Sequence, residues 1–217
     1  MTYETVDGCI AILDDTLRRI CLAEVKTGLT TDILEIPSWS TVRDLAFLNL
    51  LCSYGDCTYL EYGSAYGRSL RAAASRNTGR FIGVDPFKAF DFVITDEDFS
   101  KLDALVVRNA MYKNIAGQSN IEFHEVDFHD FALPARVNVF QYDADHSREA
   151  TSDGFVHAAA ALNPAIVIVD DFSRPSAVEG TVDGIQRARL KIHKSWLLPR
   201  EQGFHDLTFV AVVSATA

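Results

Sequence analysis

The sequence predicts one α/β domain built on a doubly wound, mostly parallel sheet, and three observations carry that prediction. From residue 57 onward, short β-rich runs alternate with segments of helical period, the pattern left by crossover units. Most of the runs are nearly continuous in apolar residues, as strands covered by helices on both faces must be. At 217 residues the chain suffices for one sizeable core and little else.

The runs are Cys57–Tyr62 (CTYLEY), Arg80–Asp85 (RFIGVD), Ile121–Val126 (IEFHEV), Val137–Asp143 (VNVFQYD) and Ala165–Asp170 (AIVIVD). Three of them end in an acid. Helices are expected over Arg68–Arg76, over Glu97–Ile115 with Thr95 as N-cap, and over Arg148–Leu162 with Ser147 as N-cap. After the fifth run the pattern changes. A helix over Ala177–His193 leads to Trp196–Pro199, a turn at Gly203, and Leu207–Val213, which together read as a terminal antiparallel pair. The first 54 residues form a helical lead. Ile10, Leu13, Leu17, Ile20 and Cys21 recur at helical spacing, as do Val42, Leu45, Phe47, Leu48 and Leu51 after Ser40 or Thr41 as cap. No repeat, low-complexity tract or charged linker separates residues 1–54 from residues 55–217, so the lead belongs to the same domain. It packs over the sheet edge, covers a substrate pocket, or joins a second subunit.

Composition excludes several classes. Hydrophobic residues make up 48% and charged residues 23%, which argues against disorder, and no uncharged apolar window long enough to span a bilayer occurs. The opening MTYETVDGC lacks the basic and apolar regions of a secretory signal, so the expected compartment is the cytoplasm. The net charge of −10 repels a phosphate backbone, and no Lys/Arg cluster offsets it, so nucleic acid is not the expected partner. Neither is a membrane. Cys9, Cys21, Cys52 and Cys57 form no CxxC pair and sit mostly among apolar neighbours, as buried thiols do. A homodimer is the ordinary association for an enzyme of this size.

In an open α/β sheet, ligands sit outside the carboxyl ends of the strands. The first run passes there into Glu61-Tyr62-Gly63-Ser64-Ala65-Tyr66-Gly67-Arg68-Ser69, where Gly63 and Gly67 let the backbone bend sharply and approach a ligand. A helix start follows, offering free N–H groups to an anionic group. On its own this is also the pattern of a plain strand-to-helix turn. Asp85, about twenty residues on, adds an acid able to accept hydrogen bonds from both ribose hydroxyls, so turn and acid together imply a nucleoside cofactor. Asp127, after the third run, takes either the adenine amino group or plain solvent.

The fourth and fifth runs end in YDADH (142–146) and VDDF (169–172). Carboxylates converging on one rim repel one another unless a cation or proton intervenes, and hard oxygen ligands suit Mg²⁺, Mn²⁺ or Ca²⁺. Ordinary strand-end solvation is the simpler reading of the same acids. His146, three residues past Asp143, reaches the same space and titrates near neutrality, which suits a general base.

With EYGSAYGRS, GVD, YDADHS and IVDDF in this order and spacing, the chain resembles class I S-adenosylmethionine-dependent methyltransferases. It is most similar to the metal-dependent O-methyltransferases around the macrocin and mycinamicin sugar enzymes, and more distantly to catechol O-methyltransferase. The resemblance covers about residues 55–214. It implies a Rossmann-like, seven-stranded sheet in order 3-2-1-4-5-7-6 with a reversed last strand. It implies further that Glu61, Tyr62, Gly63 and Gly67 bind the cofactor at its methionine part, with Ser69 near the carboxylate, Asp85 on the ribose and Asp127 at the adenine end. Asp143, Asp170 and Asp171 match the metal ligands, and His146, together with Asp143, falls where relatives carry out catalysis. Ala65 departs from the glycine often found in the middle of the turn. Mg²⁺ or another divalent cation would lower the pKa of an acceptor hydroxyl, His146 would remove its proton, and the oxygen would attack the methyl carbon. The acceptor is then a small hydroxylated molecule, a sugar or a phenolic natural product.

Two further readings use the same residues. A nicotinamide-dependent oxidoreductase would share the glycine turn and ribose acid but lacks the full GxGxxG spacing and leaves the acids at 143, 170 and 171 unexplained. A nucleoside-cofactor-binding protein without turnover would have no need of His146. Residues 86–100 form either a lid or a packed loop.

Overall fold

The computed structural model describes residues 1–22, 27–88, 103–199 and 207–216. Thr5 caps the first helix, α1 (Val6–Cys21), by accepting from the Gly8 amide at 3.0 Å, and Asp7 sits in the first turn where a negative charge favours the exposed amides. A single turn, α2 (Thr31–Leu34), intervenes. Helix α3 (Val42–Leu51) opens with a reciprocal capping box in which Thr41 accepts from the Asp44 amide and Asp44 accepts from the Thr41 amide. Thr41, rather than Ser40, is the cap.

The sheet follows: β1 (Cys57–Tyr62), β2 (Gly79–Val84), β3 (Ile121–His124), β4 (Val139–Tyr142), β5 (Ala165–Val169), β6 (Leu190–Pro199) and β7 (Leu207–Ala215), in the order β3-β2-β1-β4-β5-β7-β6. Five strands run parallel; β7 pairs antiparallel with both β5 and β6. The crossovers are α4 (Arg68–Ala74), α5 (Ala104–Ile115), α6 (Arg148–Ala158) and α7 (Pro175–Arg187). The expected sheet order and the reversed last strand are thus both present.

Alternation along the strands divides the core. Tyr59, Phe81, Val139, Ile166 and Val210 pack on one face with residues of α1, α3, α4 and α5. Leu60, Ile82, Phe140, Val167 and Ala211 pack on the other with residues of α6 and α7. The helical lead is therefore built into one sheet face: Cys9, Ile12, Leu13, Leu48 and Leu51 lie in the same cluster as Tyr59. Leu13→Ala is accordingly expected to destabilise the whole chain by about 2–5 kcal/mol, in a single transition seen alike by far-UV dichroism and tryptophan fluorescence. Separate transitions would mark the lead as an independent unit.

The boundaries depart from the sequence reading at instructive places. The last helix was expected to continue to His193, but α7 ends at Arg187, because Arg189 takes a left-handed φ of +51° and Leu190 onward pairs with β7 in register from Leu190↔Ala215. LKIHK suits a helix about as well as a strand until a partner strand is available. Helix α6 stops at Ala158 and passes into a tighter 3-10 turn over Ala159–Ala161. Helix α5 is capped by Asp103, whose side chain accepts from Leu105. The expected earlier start at Glu97, the Thr95 cap, the Gly203 turn and most of the 86–100 segment lie outside the described residues.

Candidate active site

Four backbone hydrogen bonds define the rim at the carboxyl ends of the strands. Asp85 N–H donates to His124 O at 3.2 Å, Gly63 N–H to Val84 O at 3.0 Å, Asp143 N–H to Tyr62 O at 2.9 Å, and Asp170 N–H to Tyr142 O at 3.1 Å. Asp85, Gly63, Asp143 and Asp170 are therefore the first residues past β2, β1, β4 and β5, side by side. The sheet's connections diverge between β1 and β4, the position at which open α/β sheets hold their ligands.

Gly63 has a φ of +87°, and a Cβ added there would lie 2.1 Å from the Asp143 carbonyl oxygen. The glycine is thus required twice, by backbone conformation and by the close approach of the β4 end. Gly67, at φ +76°, ends the turn as the N-cap residue of α4, and Ala65 between them also takes a left-handed φ, of +42°. The missing middle glycine is tolerated because alanine enters this region at a modest energetic cost.

Glu61, at the end of β1, is fully buried. It accepts hydrogen bonds from the Ser69 hydroxyl and, at 3.2 Å, from the Ser64 hydroxyl, while its register partner on β4, Gln141, accepts from Tyr59 at 2.9 Å. Burial pushes the Glu61 carboxyl up to about 7, against the lowering effect of its hydroxyl donors. In the folded state the proton is held more tightly than in the unfolded chain. The associated stability is complete below the unfolded carboxyl range and is lost as pH rises from about 4.5 to about 7. Glu61→Gln, which keeps the shape and lets the hydroxyls reorient, is expected to raise stability at pH 8 by up to about 3 kcal/mol and to flatten the pH profile over that window. Urea denaturation at several pH values measures both.

Asp85 is 8% exposed; its Oδ2 accepts from the Ala65 amide at 2.9 Å and its Oδ1 from the Phe87 amide at 2.8 Å. It therefore sits against the glycine turn with both oxygens anchored by backbone amides. Asp127 caps a 3-10 turn and pairs with Lys88 and His129, which hold its carboxyl below the usual range. The Tyr62 side chain points the other way, into the core beneath α6, where its hydroxyl meets His157 Nδ1 at 2.7 Å and its ring stacks on Phe128. Only the Tyr62 backbone reaches the rim, a consequence of strand alternation.

On the other side of Gly63, His146 Nε2 lies 3.7 Å from Asp143 Oδ1 and 3.6 Å from Asp171 Oδ2. Its Nδ1 is buried and finds no hydrogen-bond partner among the described residues. Burial lowers the imidazole pKa, and the Asp171 and Asp170 carboxylates work against that shift. The lowered pKa favours the neutral ring, the form able to accept a proton. Asp171 takes a left-handed φ of +50° and receives Arg174 Nη2 at 2.7 Å; Asp170 accepts from the Thr208 hydroxyl at 3.4 Å.

Asp143, Asp170, Asp171 and His146 thus occupy one rim, and their donor chemistry suits a hard cation. Their arrangement does not yet: among the described residues, no three His, Cys, Asp or Glu side chains are disposed to hold one ion, and Arg174 occupies an Asp171 oxygen. Arg174 was not foreseen. An arginine three residues after an acid is a common helix-start pair, and nothing in its spacing marks it as part of a site. No described helix is long and apolar enough to cross a membrane.

Sheet order and reversed last strand together are those of the α/β, Rossmann-like fold found in solved methyltransferases. No protein-family model matches the chain, and no curated protein matches it in sequence. Solved structures do. An O-methyltransferase from Bacillus cereus, in complex with SAH, superposes with a TM-score of 0.56 at 16% identity, over 93% of this chain and 90% of that one. The O-methyltransferase TomG from Streptomyces achromogenes, involved in tomaymycin synthesis and solved with SAM, gives 0.59 at 15% identity, over 89% and 94%. A ribosomal protein methylase from Lactobacillus delbrueckii gives 0.54 at 12%, over 83% and 81%. At such identities the likeness is one of fold.

Proposed function

We propose that this protein is a methyltransferase that moves the methyl group of S-adenosylmethionine to a hydroxyl of a small molecule. The observation that supports this reading is the single row of Asp85, Gly63, Asp143 and Asp170 along adjacent strand ends, with the glycine turn beside an acidic, histidine-bearing rim. Bound S-adenosylmethionine supplies an electrophilic methyl on a positively charged sulfur. Asp85 and the Gly63–Gly67 turn orient the nucleoside; buried Glu61 fixes the turn through Ser64 and Ser69. His146 accepts the acceptor's hydroxyl proton on Nε2, and Asp143 and Asp171, both within 4 Å of that nitrogen, stabilise the imidazolium. The acceptor oxygen would take the methyl from that sulfur, and S-adenosylhomocysteine would be the neutral leaving group. The net charge of −10 supports a small-molecule acceptor over nucleic acid.

Asp143, Asp170 and Asp171 are the residues that would hold Mg²⁺ or another divalent cation, once Arg174 releases Asp171. The donor chemistry supports that part of the reading, and no step above passes through it. Isothermal titration with S-adenosylhomocysteine and with NAD tests the cofactor: binding of the first alone is expected, and binding of NAD alone would overturn the reading. Running the same titration with EDTA and with Mg²⁺ tests the cation, whose binding is expected to require intact Asp170.

A further inference from the structure

Arg174 brings a positive charge to the acidic rim from a place in the chain that disfavours one. It is the N-cap residue of α7, its side chain makes no capping hydrogen bond, and Pro175 follows at the first helical position. The free amides at that end of a helix carry a partial positive charge, which favours Ser, Thr, Asp or Asn as cap and repels a guanidinium. Asp171 supplies the compensation. Arg174 Nη2 lies 2.7 Å from Asp171 Oδ2, and the Arg174 N–H donates to the Asp171 carbonyl at 3.0 Å. The same Oδ2 lies 3.6 Å from His146 Nε2, so the guanidinium is bound to the carboxylate oxygen that faces the imidazole. The two partners differ in burial. The Asp171 side chain is 14% exposed and that of Arg174 is 51% exposed. The guanidinium thus reaches in from water to a carboxylate held inside by a left-handed backbone, and it can withdraw to water where the carboxylate cannot.

We propose that Arg174 is a tethered counter-cation: its guanidinium occupies Asp171 until a divalent ion takes that oxygen, so that cation binding at this rim exchanges one positive group for another. The inference rests on the cation part of the reading above. A guanidinium joined to a carboxylate by a charge-assisted hydrogen bond must be displaced before a metal can use the same oxygen, and its charge also repels the approaching ion. Both effects weaken cation binding. Both disappear when the side chain at 174 is neutral, whereas a lysine keeps the charge and loses only the planar fork. A plain helix-start ion pair, by contrast, would leave cation affinity unchanged when it is removed.

Mn²⁺ binding, read from the electron paramagnetic resonance signal of the free ion, tests the exchange without any turnover. The proteins compared are the parent, Arg174→Gln, Arg174→Lys, and Asp171→Asn with and without Arg174→Gln, each shown to be folded by its urea transition. Arg174→Gln is expected to bind Mn²⁺ about tenfold more tightly than the parent, the effect of one charge-assisted hydrogen bond at a half-exposed site. Arg174→Lys is expected to stay within about threefold of the parent. On the Asp171→Asn background binding is weaker throughout, and Arg174→Gln changes it by about twofold or less, because the guanidinium has no carboxylate left there to hold. Equal or weaker binding by Arg174→Gln than by the parent would overturn the exchange and leave the cation reading in place. A full gain that persists on the Asp171→Asn background would also overturn it, by tracing the effect to the general field of the charge. If none of the proteins binds Mn²⁺, the cation falls from the reading and the exchange with it; S-adenosylhomocysteine titrated into the same samples then shows whether the methyltransferase reading stands alone.

Discussion

Gly63→Ala is expected to lower the unfolding free energy by about 2–5 kcal/mol and to remove measurable S-adenosylhomocysteine binding. Two contributions add. An alanine at φ +87° costs about 1–2 kcal/mol in backbone conformation, and its Cβ, placed 2.1 Å from the Asp143 carbonyl oxygen, must push two strand ends apart at about 1–3 kcal/mol more. The neighbour here is backbone and has no rotamer into which to retreat. Gly117→Ala provides the control: its φ is also positive, at +78°, but nothing lies within 4 Å of the added atom, so only the conformational contribution of about 1 kcal/mol is expected and ligand binding persists. Urea midpoints and calorimetric titration of the two variants separate strain at the turn from strain at the shared rim. Equal losses in both would show that the approach of β4 to Gly63 carries no energetic weight.

His146→Ala is expected to reduce kcat by about 10²–10⁴-fold while leaving S-adenosylhomocysteine affinity and the urea midpoint close to those of the parent. The asymmetry follows from position. His146 Nε2 faces two carboxylates across gaps of 3.6–3.7 Å, too long for hydrogen bonds, and its Nδ1 has no partner among the described residues, so removing the ring breaks little that holds the fold together. Asp171→Ala, in contrast, releases Arg174 as well as the imidazole, and its effect on stability is expected to exceed that of His146→Ala. Steady-state rates measured with a hydroxylated small molecule that the parent protein methylates, alongside denaturation of each variant, check both statements. Full activity in His146→Ala would remove this residue from proton transfer.

Much of this arrangement was legible before any coordinates. The apolar runs ending in acids located the parallel strands to within two residues, because strands buried on both faces admit few polar side chains before their ends. Gly63 and Asp85 stood out for the same reason that they matter: a left-handed turn and a buried acid are expensive unless their surroundings require them. What stayed hidden depends on tertiary pairing. The strand that begins at Leu190 reads as helix until β7 is present to pair with it. Tyr62 reads as part of the turn until strand alternation sends its side chain to the opposite face. Arg174 gave no local signal, since it acquires its place only when the start of α7 folds against the rim.

Everything argued for the site depends on the glycine turn and the histidine-bearing rim opening onto one cleft. A crystal structure of the protein with S-adenosylhomocysteine tests this most directly. The ribose is expected on Asp85 and the thioether sulfur turned toward His146 and Asp170. A ligand whose sulfur faces away from His146, toward β3 or the bulk solvent, would contradict the account.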